Sequence, residues 1–304
     1  MTNDGNSRIP HTLRRKPLVV SLLALLSIAA APTANPSTTD FLRFVPDKVG
    51  GGTLQTATTR YRNAAGATVD LIAAVHVADS AYYHQVEKSF KQYDALLYEM
   101  VKPQGMAPPA PGAKAGGAVT GLQRFLKKVL DLDFQLDAID YSAPNFVHAD
   151  LDAETFAQMQ GDRGESIPGI ILQSMLREMA KEDGANGDVQ LGQLLMALQA
   201  PDRAKQLKLL LARQFNDVED ALSGLGGPDG SVILTERNKR ALTVLDEQLH
   251  AGKKHLAIFY GAAHLPDMAQ RLSQRGFKRV GSKWQVAWNM AGPPATRPTT
   301  LNTK

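Results

Sequence analysis

The distribution of apolar and polar residues predicts strands and one helix in the first third of the chain. Residues 53–62 alternate loosely between the two classes, which is typical of a half-buried strand. Residues 68–75 and 94–101 are short and mostly apolar, and the second run ends before Pro103, so both are predicted as buried strands. Between them, residues 80–92 are predicted to form a helix. We therefore expect a unit of strands and a helix over residues 35–103.

The middle of the chain is predicted to be helical. Residues 104–121 are rich in Pro, Gly and Ala, which predicts a flexible loop. Residues 122–222 then show apolar side chains at three- and four-residue spacing, interrupted by Gly and Pro. The predicted helices are Leu122–Leu130, Ala153–Met159, Ile170–Ala180, Leu191–Leu198 and Arg203–Val218.

The last part of the chain returns to mixed structure. Its pattern predicts a helix over Val232–His250, a strand over His255–Tyr260, a helix over Pro266–Gln274 and a strand over Trp284–Asn289. Because strands occur at both ends of the sequence, the simplest packing is an α/β fold with a mixed central sheet built from residues 35–103 and 223–290. We expect helices to flank this sheet, residues 122–222 to form an inserted helical cap, and residues 291–304 to be a disordered tail of one domain, 35–304.

The N-terminal segment is predicted to be a signal peptide. A basic run, Arg14-Arg15-Lys16, precedes fourteen residues from Leu18 to Ala31 that are apolar except for two serines. This stretch is shorter than the roughly 20 residues that cross a membrane, and it ends in small residues, as secretory signals do. We expect cleavage near Ala34 and a periplasmic or secreted protein. The alternative is an uncleaved N-terminal anchor that holds the protein close to a membrane.

Composition excludes several classes of site. The chain has no cysteine, so disulfides, thiolate metal sites and a cysteine nucleophile are excluded. The formal net charge is +4, of which residues 1–34 contribute +3, so the remainder carries +1 and gives no reason to expect a nucleic-acid partner.

An internal duplication is the most informative feature. Leu71-Ile-Ala-Ala-Val-His76 and Ile258-Phe-Tyr-Gly-Ala-Ala-His264 are each an apolar strand that ends in small residues and a histidine, followed by x-x-Asp-x-Ala and a helix. Ligands bind at this carboxyl edge in open α/β sheets. A single histidine there is usually a hydrogen-bonded structural residue, but two copies in the same context favour one shared site.

A carboxylate completes the candidate site. Glu99 lies within the apolar run 94–101, where a charge is costly unless it is paired or bound to a metal. One interpretation is a buried ion pair, with Arg237 as partner. The other is a metal site, because two histidines and one carboxylate bind a divalent ion and leave positions open for water or substrate. A further histidine, His148, is either an additional ligand or hydrogen-bonded at the start of a helix.

At these residues the chain resembles the TraB/PrgY/GumN/Tiki family. Members carry two Gly-x-x-His motifs, a glutamate between them, and an arginine on a helix before the second motif. The second motif is Gly261-Ala-Ala-His264, the glutamate is Glu99 and the arginine is Arg237, whereas Ala73 replaces the glycine of the first motif. The resemblance implies the fold of the erythromycin-esterase and ChaN group and, through Tiki, a metal-dependent protease.

The first hypothesis is a secreted or periplasmic metal-dependent hydrolase that acts on peptides or small molecules. In it His76, His264 and Glu99 form a site for Mn²⁺, Co²⁺ or Zn²⁺, with Glu99 as a metal ligand or as the general base. Arg237 and Asn238 orient Glu99 or stabilise an oxyanion. The alternatives on the same scaffold are a non-catalytic protein that binds iron or haem and a signalling protein of the cell envelope.

Overall fold

A computed structural model describes residues 40–110, 129–165, 185–223 and 231–292. Its strands are β1 (Leu42–Pro46), β2 (Gly52–Arg62), β3 (Thr68–Ala74), β4 (Val77–Ala78), β5 (Ala95–Tyr98), β6 (Asp133–Phe134), β7 (Phe146–His148), β8 (His255–Gly261) and β9 (Lys278–Asn289). Its α-helices are α1 (Ser80–Phe90), α2 (Gln135–Ala138), α3 (Ala153–Arg163), α4 (Ala185–Gln199), α5 (Arg203–Ser223), α6 (Arg237–His250) and α7 (Leu265–Gln274). The prediction of an α/β fold with a mixed central sheet flanked by helices is confirmed.

The strands at the centre of the sheet are parallel and buried from solvent. Strands β3, β8, β5 and β7 lie side by side in that order and run parallel. All seven residues of β3 and all four of β5 are buried, as expected for parallel strands covered on both faces. The antiparallel part of the sheet is built on β2, which pairs with β9 along one side and with β1 and then β3 along the other.

The duplicated strands are neighbours in this sheet. The register of β3 and β8 sets Leu71 opposite Ile258 and Ala74 opposite Gly261. Aligned on their histidines, the two copies match Ala73 with Gly261, so the sheet pairs them one residue away from the sequence alignment; both still end at the same edge of the sheet. Ala73 lies within regular β3, opposite Tyr260, so its methyl group meets no special backbone requirement there.

The helices cover the sheet with narrow apolar faces. Buried Tyr82, Tyr83, Val86 and Phe90 lie on one side of α1. In α6 the buried apolar residues are Ala241, Leu242, Val244 and Leu245, at the spacing expected of an amphipathic helix. Within the described residues, no helix is long and apolar enough to cross a membrane.

Several predicted elements need correction. The block 122–222 is not purely helical, because β7 pairs in parallel with β5 and extends the central sheet. The predicted helix Val232–His250 begins instead with a π-helical turn over Val232–Glu236, and β1 was missed. Three- to five-residue strands carry too few residues to show a period.

Other predictions fall outside the described residues. These are the signal peptide, the helix Ile170–Ala180, most of Leu122–Leu130 and of the loop 104–121, and most of the tail 291–304.

Candidate active site

Three neighbouring parallel strands bring the predicted residues to one edge. His76 follows β3 after one residue, Glu99 follows β5 directly, and His264 ends the 3₁₀ turn Ala262–His264 that follows β8. Because β8 lies between β3 and β5, the carboxyl ends of all three strands meet at the same place.

Glu99 is held on three sides. Its Oε1 accepts a hydrogen bond from Nη2 of Arg237 at 2.6 Å and lies 3.6 Å from Nε2 of His264. Its Oε2 accepts the backbone N–H of Gly261 at 2.7 Å. A Cβ on Gly261 would lie 3.4 Å from this Oε2, in van der Waals contact, so the carboxylate packs directly against the backbone of Gly261.

Glu99 is ionised at neutral pH. Burial opposes its charge, but His264, Arg237, His76 and the Gly261 N–H together outweigh burial and lower the pKa of Glu99 to about 2. Its side chain is 11% exposed, so this charge sits just under the surface.

His264 presents an unprotonated nitrogen to Glu99. Nδ1 of His264 lies 2.6 Å from Oδ1 of Asn238, an oxygen that only accepts hydrogen bonds, so Nδ1 carries the proton and Nε2 is the free base. Burial is the largest influence on the ring and lowers the pKa of His264 to about 4. A neutral histidine whose other nitrogen donates to an oxygen has the arrangement typical of a metal ligand.

Asn238 corrects one prediction. It does not orient Glu99: its Oδ1 accepts from His264, and its Nδ2 donates to the carbonyl of His264 at 3.2 Å and to Asp267 at 2.8 Å. Asn238 is completely buried, so it is not placed to meet an oxyanion. It fixes the ring orientation and the tautomer of His264 instead.

Arg237 is shared between two carboxylates. Its Nε and Nη2 donate to Asp150 at 2.9 and 2.7 Å, and Nη2 also reaches Glu99. Burial opposes the charge of Arg237, but Asp150 and Glu99 outweigh it and raise the pKa of the guanidinium. The predicted ion pair between Glu99 and Arg237 is therefore present, within a larger cluster.

Asp150 was missed by the sequence analysis. It follows β7, its side chain is 0% exposed, and it forms a bidentate ion pair with Arg237. The signal was present as a carboxylate after the apolar residues Phe146 and Val147, but a three-residue strand gave no reason to place it at this edge.

His76 lies at the edge but faces solvent. It is exposed, and it lies close enough to Glu99 to help lower the pKa of that carboxyl. The backbone before it is anchored, because the hydroxyls of Tyr82 and Tyr83 donate to the carbonyls of Ala73 and Val75, each at 2.9 Å.

Two of the three predicted metal ligands lie at a spacing that suits a divalent metal. Oε1 of Glu99 and Nε2 of His264 are separated by 3.6 Å, close to the separation of two ligands whose bonds to one ion are about 2.0–2.2 Å long. Among the described residues no group of three His, Asp or Glu side chains converges at ligand distance. Two donors therefore fit, and the third, His76, must turn inward to join them.

The other histidines lie apart from this pair. His148 is in β7 rather than at a helix start, and its Nε2 donates to the carbonyl of Met100 at 2.7 Å. His84 is exposed on α1. His250 is exposed at the end of α6, where it bonds to the carbonyl of Asp246. The structure thus supports the hydrogen-bonded interpretation of His148.

Comparisons of the chain with family models, with curated proteins and with solved structures find no match.

Proposed function

We propose that this chain is a secreted or periplasmic metal-dependent hydrolase, related to the TraB/PrgY/GumN/Tiki proteins, that cleaves peptides. The observation that carries the proposal is the pair formed by Glu99 and His264. A buried, ionised carboxylate faces an unprotonated imidazole nitrogen at 3.6 Å, at the edge of the sheet where α/β proteins bind ligands.

The residues have distinct roles in this proposal. His264 and Glu99 would hold a divalent metal, and His76, after the adjacent strand, would complete the set if it turned inward. The metal would activate water and polarise a carbonyl. Oε2 of Glu99 accepts the Gly261 N–H, which fixes the orientation of the carboxylate and leaves Oε1 facing His264, where the metal would bind. Arg237 donates a hydrogen bond to Oε1 of Glu99, and Asn238 accepts one from Nδ1 of His264.

Metal-dependent cleavage tests the proposal. The chain lacking residues 1–34 is stripped with EDTA, supplied with Mn²⁺, Co²⁺ or Zn²⁺, and incubated with a mixed peptide library that is analysed by mass spectrometry. We expect cleavage that depends on added metal in the wild type and in His84→Ala, a control for loss of an exposed histidine. Cleavage should be absent in His264→Ala and in Glu99→Gln. Cleavage that persists in EDTA, or in His264→Ala, would contradict the proposal.

A second candidate is a non-catalytic protein that binds iron or haem on the same scaffold. The exposure of His76 favours it, because an exposed imidazole is free to ligate an iron that arrives from solution. A haem absorption band that His76→Ala abolishes, together with no cleavage in any metal, would replace the hydrolase by this function.

A further inference from the structure

Arg237 divides its hydrogen bonds unequally between its two carboxylates. Asp150 receives both Nε and Nη2 in the paired geometry that suits a carboxylate, whereas Glu99 receives Nη2 alone. Asp150 is also held by the backbone N–H of Leu151 at 2.8 Å and has no exposed surface. Arg237 is therefore bound primarily to Asp150.

We infer that Asp150 sets the affinity of this site for a divalent cation, because it shares Arg237 with Glu99 and so leaves one net negative charge in the cluster. This inference rests on the proposed function. Asp150 acts through Arg237 and is a positioning residue, since its carboxylate oxygens contact Arg237 and Leu151 rather than His264.

The charge count supports a cation at this site. Two carboxylates, Glu99 and Asp150, face one guanidinium, so the buried cluster carries one net negative charge. Two charged side chains on the neighbouring helices have carboxylate or guanidinium partners of their own. Asp267 pairs with Arg271 at 2.7 Å, and Arg240 lies 3.5 Å from Glu247. A net buried charge is unfavourable, and a bound divalent cation offsets the negative charge, leaving +1 that a deprotonated water on the ion would neutralise.

Removal of Asp150 would reverse this situation. In Asp150→Asn the guanidinium keeps Glu99 as its only charged partner, so the cluster is neutral. A divalent cation would then compete with Arg237 for Glu99 and be repelled by it. Loss of a residue that acts on a metal ligand from behind, without touching the metal, lowers metal affinity by roughly 10–100-fold.

A charge-restoring double variant separates this role from a merely structural one. Asp150→Asn combined with Arg237→Gln removes one negative and one positive charge, so the net charge of the cluster returns to that of the wild type. The two amides retain hydrogen-bonding groups where the ion pair was.

The experiment is a titration of Mn²⁺ into the metal-free wild type, the single variant and the double variant by calorimetry, with melting curves as a check on folding. We expect weaker binding by Asp150→Asn, and recovery in the double variant to an affinity close to that of the wild type. A double variant that binds Mn²⁺ no better than Asp150→Asn would overturn the inference and leave the proposed function standing. A wild type that binds no Mn²⁺, Co²⁺ or Zn²⁺ would overturn both. If Asp150→Asn does not fold, the double variant decides alone: near-wild-type affinity supports the inference, and lost affinity refutes it.

Discussion

Protonation of His264 should make the metal-free fold unstable in mild acid. Burial lowers the pKa of His264 to about 4, against 6.5 for a free histidine. The unfolded chain therefore binds a proton at a pH where the folded chain does not, and stability falls as the pH decreases from about 6.5 to about 4. Above pH 7 the ring is neutral in both states, so His264 contributes nothing to the pH dependence there.

The magnitude follows from these two values. At about 1.4 kcal/mol per pKa unit, the full loss is about 3 kcal/mol, of which about 2.5 kcal/mol is reached by pH 4.5. Glu99 adds its own loss at lower pH, because its pKa is lowered from 4.5 to about 2. At pH 4.5 this Glu99 loss is about 0.4 kcal/mol, because half of the Glu99 carboxyls are protonated in the unfolded chain. The contribution of His264 is therefore the difference between the wild type and His264→Gln.

Urea unfolding in EDTA, followed by the fluorescence of buried Trp288, measures the effect. The wild type should lose about 2.5 kcal/mol more between the two pH values than His264→Gln, whose amide can still donate to Asn238. His250→Gln, which changes an exposed histidine, should behave as the wild type. Equal losses in the wild type and in His264→Gln would refute the neutral buried state assigned to His264.

Three further variants test the surroundings of the site. Asp150→Ala should lower the free energy of unfolding by roughly 3–5 kcal/mol, since it removes the main partner of a buried guanidinium. A loss below about 0.5 kcal/mol in urea unfolding, the size typical of a surface substitution, would contradict the pairing. Tyr83→Phe should cost about 1–3 kcal/mol by leaving the buried carbonyl of Val75 without its donor, whereas the melting curve of His84→Ala should match that of the wild type. Gly261→Val should displace Glu99, because its Cβ would already be in van der Waals contact with Oε2 at 3.4 Å and the two γ-methyl groups add bulk beyond it. Mn²⁺ affinity measured by calorimetry should fall, and unchanged affinity would refute the close approach.

The fold was predictable where burial imposes a simple pattern. The runs 68–75 and 255–260 are apolar because their strands are covered on both faces, and the duplication indicated that both end at one site, although it did not give their register. The same reasoning failed for β7, whose three residues are too short for a period and which lies in a block dominated by helices.

The site was predictable where one residue breaks its local pattern. Glu99 stands out as a charge at the end of an apolar strand, and its contact with Arg237 follows from the need to pair a buried charge. The target of Asn238 and the role of Asp150 were not predictable, because they depend on how α6 and β7 pack against the strand ends. The exposure of His76 depends in turn on the loop after β3, whose conformation no periodicity encodes.

The most direct test of a metal site is a crystal structure of the chain grown with Mn²⁺, with anomalous scattering collected to locate the ion. We expect one strong peak bonded to Oε1 of Glu99 and Nε2 of His264, with His76 turned inward as the third protein ligand. A peak at other residues, or no peak at this edge of the sheet, would contradict the metal-dependent function proposed for this protein.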